Sequence, residues 1–431
     1  MHTFSEAEAL ELDRADPLPS RRDEFWIPPH PGRGRAQAAY LAGNSLGLQP
    51  RTVAGDLQAE LEDWSRLGVG GHMKAHRPWV SFHEMLREPT ARLVGALPRE
   101  TIAMNSLTVN LHLLMASFYR PTPQRHAIVI EDQAFPSDSY AVRSQAQWHG
   151  YDPDQAVIRL SPRPGEDCLR TEDVVGFFQK HGDRVALALL GAVNYYNGEY
   201  LDIPQITHAA RAAGAVAAWD LAHAVGNVEL KLHDWGVDWA AWCTYKYLNS
   251  GPGAVAGAFI HDRHLGDQGL DRLSGWFSTD PGTRFQMRPT LDFVPNADAW
   301  QVSNPPILAM APVLSSLRLF DEVGMPALRA KSERLTAYLS AALGHFLDPA
   351  DASIITPADP ASRGSQLSVR LHRTPAEAAA DRMRSIDGVI SDDRKPDVIR
   401  LAAAPLYVTF HDCWRAAMAI AAVAADPNAA A

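Results

Sequence analysis

The sequence predicts an α/β fold, with a large domain on a mainly parallel sheet and a smaller α+β domain. Three observations carry that prediction. Between residues 127 and 260, short apolar runs alternate with helical stretches, the pattern of parallel strands covered by helices on both faces. After about residue 310 the alternation stops, and two helices precede short strands. Within the alternating part, the apolar runs 215–219 and 239–243 end at Asp220 and just before Lys246. Ligands of such sheets bind beyond the carboxyl ends of the strands, so Asp220, His223, Tyr245 and Lys246 are expected to gather there.

The elements follow in order. Residues 1–50 read as an arm, with a short helix over 4–13, Pro- and Arg-rich loop sequence, and then AAYLAGNSLGLQP. In 51–67 the apolar positions Val53, Leu57, Leu61, Trp64 and Leu67 recur at spacings of three and four, which predicts a helix with one buried face. GVGGHMKAHRPW is expected to be loop and 81–97 helix. NSLTVNLHLLMASFYRP is a helix with Asn105 or Ser106 as cap and Pro121 as stop. Strands are expected at 127–131, 156–160, 185–193 and 254–260, beside the two already named. Between them lie helices at FPSDSYAVRSQAQWHG, at 171–180 capped by Thr171, and at 203–213. Helices over 306–323 and 326–346 lead to strands at 366–371 and 398–403, and the Ala-rich 416–431 reads as a fraying terminal helix. The expected division is a large domain of 51–309 and a small domain of 310–431 that the arm, 1–50, joins.

Composition narrows the function. The chain has 431 residues, 46% of them hydrophobic and 21% charged, and a net charge of −10. No basic run offers a nucleic-acid face. Cys168, Cys243 and Cys413 are far apart and form no C-x-x-C pair, so neither a disulfide framework nor a zinc ribbon is expected. With an acidic N-terminus lacking an apolar core and no apolar run of bilayer length, a cytoplasmic chain without membrane contact is expected.

A carboxylate and a lysine at neighbouring strand ends suit pyridoxal 5′-phosphate. The lysine condenses with the aldehyde, and the acid keeps the ring nitrogen protonated so that the ring can store charge. Taken singly, such an Asp is most often a cap and such a Lys a solvated side chain. LTVN at 107–110 opens a helix, where free amides and the dipole favour a phosphate and Thr108 adds a hydroxyl; a plain N-cap would look the same. Phe135 could serve as a plate for a ring with Asp138 beside it, although a lone Phe is usually core. Arg400, at a strand start, has the planar fork that grips a carboxylate.

Other motifs fail on context. GNSLG at 43–47 fits G-x-S-x-G, but that elbow follows several strands of a sheet and the upstream chain is too short to supply them. His72 and His76 have helical ligand spacing, yet no Glu follows His72, so no metal site is expected. No G-x-G-x-x-G follows a strand, which leaves nicotinamide binding unsupported.

The wording around these residues adds a resemblance. WDLAHAVGNVELKLHDWGVD followed by CTYKYLNSGPG resembles the lysine region of the kynureninases. YLAGNSLGLQP, NSLTVNLHLLMASF, GWFST, WQVSNPPIL and DVIRLAAAPLYVTFHD are similar to further segments of that family, in its order, from Tyr40 to about Asp412. The resemblance implies a fold-type-I, pyridoxal-phosphate-dependent transferase-like architecture with a sheet of the seven-stranded type. It implies that Lys246 carries the cofactor and that Lys246, Tyr245 and Asp220 are catalytic. It assigns Leu107 and Thr108 to the phosphate and Phe135, Pro136, Ser137 and Asp138 to the cofactor's surroundings. His223 and Tyr245 also touch the cofactor, and Trp276 and Asn304 approach from the partner subunit, so a homodimer with shared sites is implied. Ser45, His72, Asn304 and Arg400 face the substrate.

One departure is Gly191, where related chains often carry a hydroxyl residue as a phosphate donor. The implied reaction is hydrolysis of L-kynurenine or 3-hydroxy-L-kynurenine to the anthranilate and L-alanine, a step of tryptophan catabolism and NAD biosynthesis. The rivals are another class-V enzyme, such as a cysteine desulfurase or an aminotransferase, and a cofactor-binding protein without turnover. A desulfurase needs a reactive cysteine on a mobile loop, and neither Cys168 nor Cys413 has that context.

Overall fold

A computed structural model describes residues 3–30, 36–267 and 269–426. Its centre is a seven-stranded sheet in the order Thr101–Ala103, Gly257–Ile260, Trp239–Trp242, Val216–Asp220, Val185–Gly191, Ala127–Glu131, Val157–Leu160. All strands run the same way except Gly257–Ile260, which is antiparallel to both neighbours. The period of two along each strand sends successive side chains to opposite faces. Ile128 and Ile130 join one buried cluster with Leu114 and Met115 of the helix Leu107–Phe118 and Val142 of the helix Pro136–Trp148. Ala127 and Val129 join the other, with Val174 and Phe178 of Thr171–His181 and Ile206 of Ile203–Ala212. Both faces are thus covered, which is why these strands read as continuous apolar runs. Each fully buried Ile or Val contributes about 1.5–3 kcal/mol.

A second, four-stranded antiparallel sheet has the order Ala352–Ile354, Gln366–Leu371, Val398–Ala402, Asp392–Arg394. The N-terminal arm attaches to this part of the chain: Ala39–Tyr40 pairs with Val389–Ile390, and Ala42 bridges to Ala402. The helices Ile307–Val323 and Met325–Phe346 lie between the sheets in sequence.

Several expectations need correction. The strand Thr101–Ala103 was not foreseen, being three residues long. GVGGHMKAHRPW is not all loop, since Gly71–Lys74 closes a helical turn. The helix Val53–Leu67 exists, but its buried positions include Glu60 and Asp63, while Leu61 and Trp64 are exposed. Glu60 accepts from Arg77 Nε at 2.6 Å and Trp79 Nε1 at 2.9 Å, and Asp63 from the His76 amide at 2.6 Å. Polar partners from later in the chain therefore turn the acidic side inward. Thr171 is the first helical residue rather than the cap, a position Arg170 takes without a side-chain bond. The terminal helix is Phe410–Ala425, opened by a Thr409–Asp412 capping box and buried as far as Ala424; residues 427–431 lie outside the described residues. Among the described residues no helix is long and apolar enough to cross a membrane.

Candidate active site

The sheet register assembles the site. Gly191 lies opposite Asp220, and Asp220 opposite Ala241, so three carboxyl ends meet at one level. The chain then leaves Trp242 and reaches Lys246 within a turn. From Ala127–Glu131 the sheet extends to Val157–Leu160 on one side and Val185–Gly191 on the other. That reversal makes the crevice in which α/β sheets bind ligands.

A cavity of about 160 Å³ opens there, lined by Leu107, Thr108, Phe135, Ser137, Asp138, Asp220, His223, Tyr245 and Lys246, with Ser106, Glu131, Gly191, Val193, Tyr195 and Ala222. Nine residues assigned from the sequence are thus brought together. Lys246 Nζ lies 2.9 Å from His223 Nε2 and 5.8 Å from the centre of the Phe135 ring. Burial, aided by Lys246, Arg400 and Arg394, holds the His223 imidazole well below its ordinary range, so the ring is neutral and its Nε2 can accept from Lys246 Nζ. Its Nδ1 is buried without a partner among the described residues.

Asp220 is buried at its strand end and accepts from the Ala222 amide at 2.7 Å. Burial raises its carboxyl, while the Ala222 amide, Lys246 and a hydrogen bond from Asp138 oppose that rise. Asp138 is raised much further, by burial and then by the Asp220 and Glu131 charges. The proton therefore resides on Asp138 and the charge on Asp220. Asp138 Oδ1 has no partner among the described residues. Tyr245, half-buried, is pushed above the ordinary phenol range by burial and then by Cys243, so its Oη keeps its proton.

The helix Leu107–Phe118 points its N-terminus at the same cavity, with Ser106 in the cap position but making no side-chain cap. Its first amides lack helical acceptors, and Thr108 Oγ1 pairs with Ser137 Oγ at 2.5 Å. Amides and two hydroxyls form an anion seat. The donor set fits pyridoxal phosphate: a lysine amine, a buried carboxylate, an aromatic plate, an anion seat, and two buried polar atoms still lacking partners.

The GNSLG segment supports the lysine loop. Gly47 donates its amide to Tyr245 O at 2.8 Å, and a Cβ on Gly47 would stand 2.3 Å from Lys246 O. Only glycine allows that approach.

Not every assigned residue reaches the cavity. Pro136 starts its helix and is exposed. His72, Trp276 and Asn304 are exposed and outside the cavity wall of this chain. Arg400 is fully buried behind Tyr195, donating from Nη1 to Tyr195 O at 2.6 Å and pairing through Nη2 with Asp392 Oδ2 at 2.6 Å. Burial lowers its guanidinium below the usual arginine value, and Asp392 counteracts this. Ser45 Oγ donates to the same Asp392 carboxylate and receives Arg400 Nη2 at 3.3 Å. Ser45 is thus paired with an acid and an arginine, not with a histidine as a hydrolase nucleophile would be. Sequence reasoning missed Glu131, Tyr195 and Asp392. Glu131 carried the signal that found Asp220, an acid closing an apolar run; the others had none.

A family model described as the kynureninase C-terminal domain matches residues 328–420. The chain is 60% identical to the kynureninase of Salinispora tropica, covering 97% of each. It is 53% identical to that of Myxococcus xanthus over 95% of each, and 46% identical to that of Nematostella vectensis over 94% of this chain and 90% of the relative. Among solved structures, a C-DES variant with glycine covalently linked to its PLP cofactor superposes with a TM-score of 0.75 at 16% identity, covering 93% of this chain and 98% of that one. The cysteine desulfurase CsdA of Escherichia coli gives 0.73 at 15%, over 98% and 99%. These two share the fold, a fold-type-I architecture, and the curated relatives go further: the chain belongs to the kynureninase family.

Proposed function

We propose that this chain hydrolyses L-kynurenine, or 3-hydroxy-L-kynurenine, to the corresponding anthranilate and L-alanine, with pyridoxal 5′-phosphate held at Lys246. The observation that carries the reading is that Lys246, with Nζ 2.9 Å from His223 Nε2, shares one cavity with buried Asp220 and with the anion seat at Leu107 and Thr108. When bound, pyridoxal phosphate supplies an aldehyde for the amines and a ring that stores charge. The chain's own groups do the rest. Asp220 holds the proton at the ring nitrogen. Phe135 would lie against the ring, and Thr108 and Ser137 would take the phosphate. Lys246 removes the proton from the substrate Cα, and His223, neutral, accepts from Nζ. Arg400, which is paired with Asp392 and bonded to Tyr195 O behind the cavity wall, is the arginine that would take the α-carboxylate once it exchanges the Tyr195 bond for the substrate. Water adds to the γ-carbonyl, and Tyr245 Oη or Lys246 Nζ returns a proton to Cβ as the Cβ–Cγ bond breaks.

A homodimer belongs to this reading. His72, Trp276 and Asn304 lie outside this chain's cavity, and in this reading a second copy brings Trp276 and Asn304 to it. Leu61, Trp64, Val69 and Met73, between 43% and 86% exposed, supply apolar surface for such a contact. The division into a cofactor-holding unit of 51–309 and a smaller unit of 310–431 joined by the arm also belongs to it. So does a cytoplasmic setting, in keeping with three free cysteines.

The desulfurase alternative lacks its nucleophile. No cysteine lines the cavity; Cys413 is buried, and burial pushes the Cys168 thiol up to about 12. The test is turnover of both kynurenines, with arylamine and alanine quantified together. Equal amounts of the two support the reading, and a keto acid in place of alanine overturns it.

A further inference from the structure

One carboxylate in the cavity wall has no role in that chemistry. Glu131 ends the strand next to the sheet reversal and is 5% exposed. Its two oxygens accept from the Gly191 amide at 3.2 and 3.1 Å. A Cβ at residue 191 would stand 2.7 Å from Glu131 Oε1. The carboxylate thus occupies the volume into which any side chain at 191 would project. Gly191 lies opposite Asp220 in the sheet, so Glu131 sits two strands from Asp220 with Gly191 on the strand between. The same two residues, Glu131 and Gly191, form the partition between this cavity and a smaller one behind it, lined in part by Glu199.

We propose that Glu131 is a positioning residue of the cofactor site: seated on the Gly191 amide in place of a side chain at 191, it sets the charge that Asp138, Asp220 and an incoming phosphate ester meet. The inference rests on the cofactor reading above and extends it. Asp138, Asp220 and Glu131 place three acids in one cavity against a single lysine, and a phosphate adds more negative charge. The site accepts that load only if acids stay protonated. Asp138 keeps its proton by donating to Asp220. Glu131 has a similar environment: burial foremost, then Asp220, raise its carboxyl to about 7, against the Gly191 amide and Arg159 from the edge strand. Glu199, behind it, is likewise raised to about 7, chiefly by burial and in part by Glu131 itself. The remaining titratable groups around it are Lys246, His223, Tyr245 and Tyr195 in the cavity wall, and Asp132 and Asp167 in the wall of the smaller one. Neutral Glu131 leaves Asp220 as the one charge opposite Lys246; ionised Glu131 adds a second, and cofactor binding weakens.

The test is the dissociation constant of pyridoxal phosphate from the full-length protein, measured by equilibrium dialysis and by the bound cofactor's absorbance across pH 6 to 8.5. Parent and Glu131→Gln are compared, because glutamine keeps the volume and an acceptor for the Gly191 amide but cannot ionise. The ratio of parent to variant constants isolates this residue from the titrations of phosphate and lysine. It is expected to stay near one at pH 6 and to rise about tenfold by pH 8.5. Gly191→Ala, which pushes the carboxylate off its seat, should displace the midpoint of that rise. A ratio that does not change with pH overturns the proposal while leaving the cofactor reading intact. Failure of the parent to bind pyridoxal phosphate at any pH overturns the cofactor reading itself.

Discussion

Lys246 Nζ and His223 Nε2 stand 2.9 Å apart, and the two residues come from different strand ends. Both cannot be charged at that distance without strong repulsion. Burial settles which one yields, since the imidazole is the group driven well below its ordinary range. The lysine thus has a neutral acceptor beside it.

This pairing predicts a pH dependence of stability. Unfolded, His223 binds a proton near the ordinary imidazole value of 6.5; folded, it does so only at lower pH. Because the folded value is depressed, the stability it contributes is present above pH 6.5 and lost as pH falls below it. His223→Gln should flatten the acid side of the stability curve. Urea unfolding at pH 7.5 and 5.5 checks this, and equal acid sensitivity in both proteins would remove His223 from the account.

Arg400 is expected to hold the substrate carboxylate from behind the cavity wall. Arg400→Ala should weaken kynurenine binding by about 2–5 kcal/mol, while Asp392 keeps Arg394 and Ser45 as partners. Cofactor absorbance should not change. Steady-state kinetics with unaltered KM and kcat would take Arg400 out of the site.

Tyr245 keeps its proton and neighbours the lysine, so it is placed to act as an acid. Tyr245→Phe should slow turnover by about 10²-fold or more, with cofactor binding retained. Rapid-mixing absorbance and product analysis separate the two effects. A loss confined to cofactor affinity would make Tyr245 a binding residue only.

His72 and Asn304 are expected to meet the aromatic ring of the substrate. A site built to hydrogen-bond a hydroxyl rejects the analogue lacking it, so 3-hydroxykynurenine should be used at least as well as kynurenine. His72→Phe combined with Asn304→Ala should erode that preference. An unchanged selectivity ratio would assign it to other residues.

How much of this was legible differs between residues. Asp220 and Lys246 stood out because each follows an apolar run, and in a parallel sheet strand ends converge. Glu131 gave the same signal and was passed over, since nothing in the sequence says that its strand lies beside the reversal. Asp392 was illegible for a different reason. Its meaning is the pairing with Arg400 across two antiparallel strands, which only the register supplies. The helix Val53–Leu67 misled because spacing cannot foresee that Arg77 and Trp79 return to claim Glu60. His72, Trp276 and Asn304 lie outside this chain's cavity, and only the resemblance gave them a role.

The central claim, that Lys246 carries the cofactor, is tested most directly by reducing the cofactor-loaded protein with borohydride and mapping the pyridoxyl-modified peptide. The other lysines, Lys74, Lys180, Lys231, Lys331 and Lys395, provide internal controls. The account predicts stoichiometric label on Lys246 within CTYKYLNSGPG, lost in Lys246→Ala. Label on any other lysine of the parent protein would contradict it.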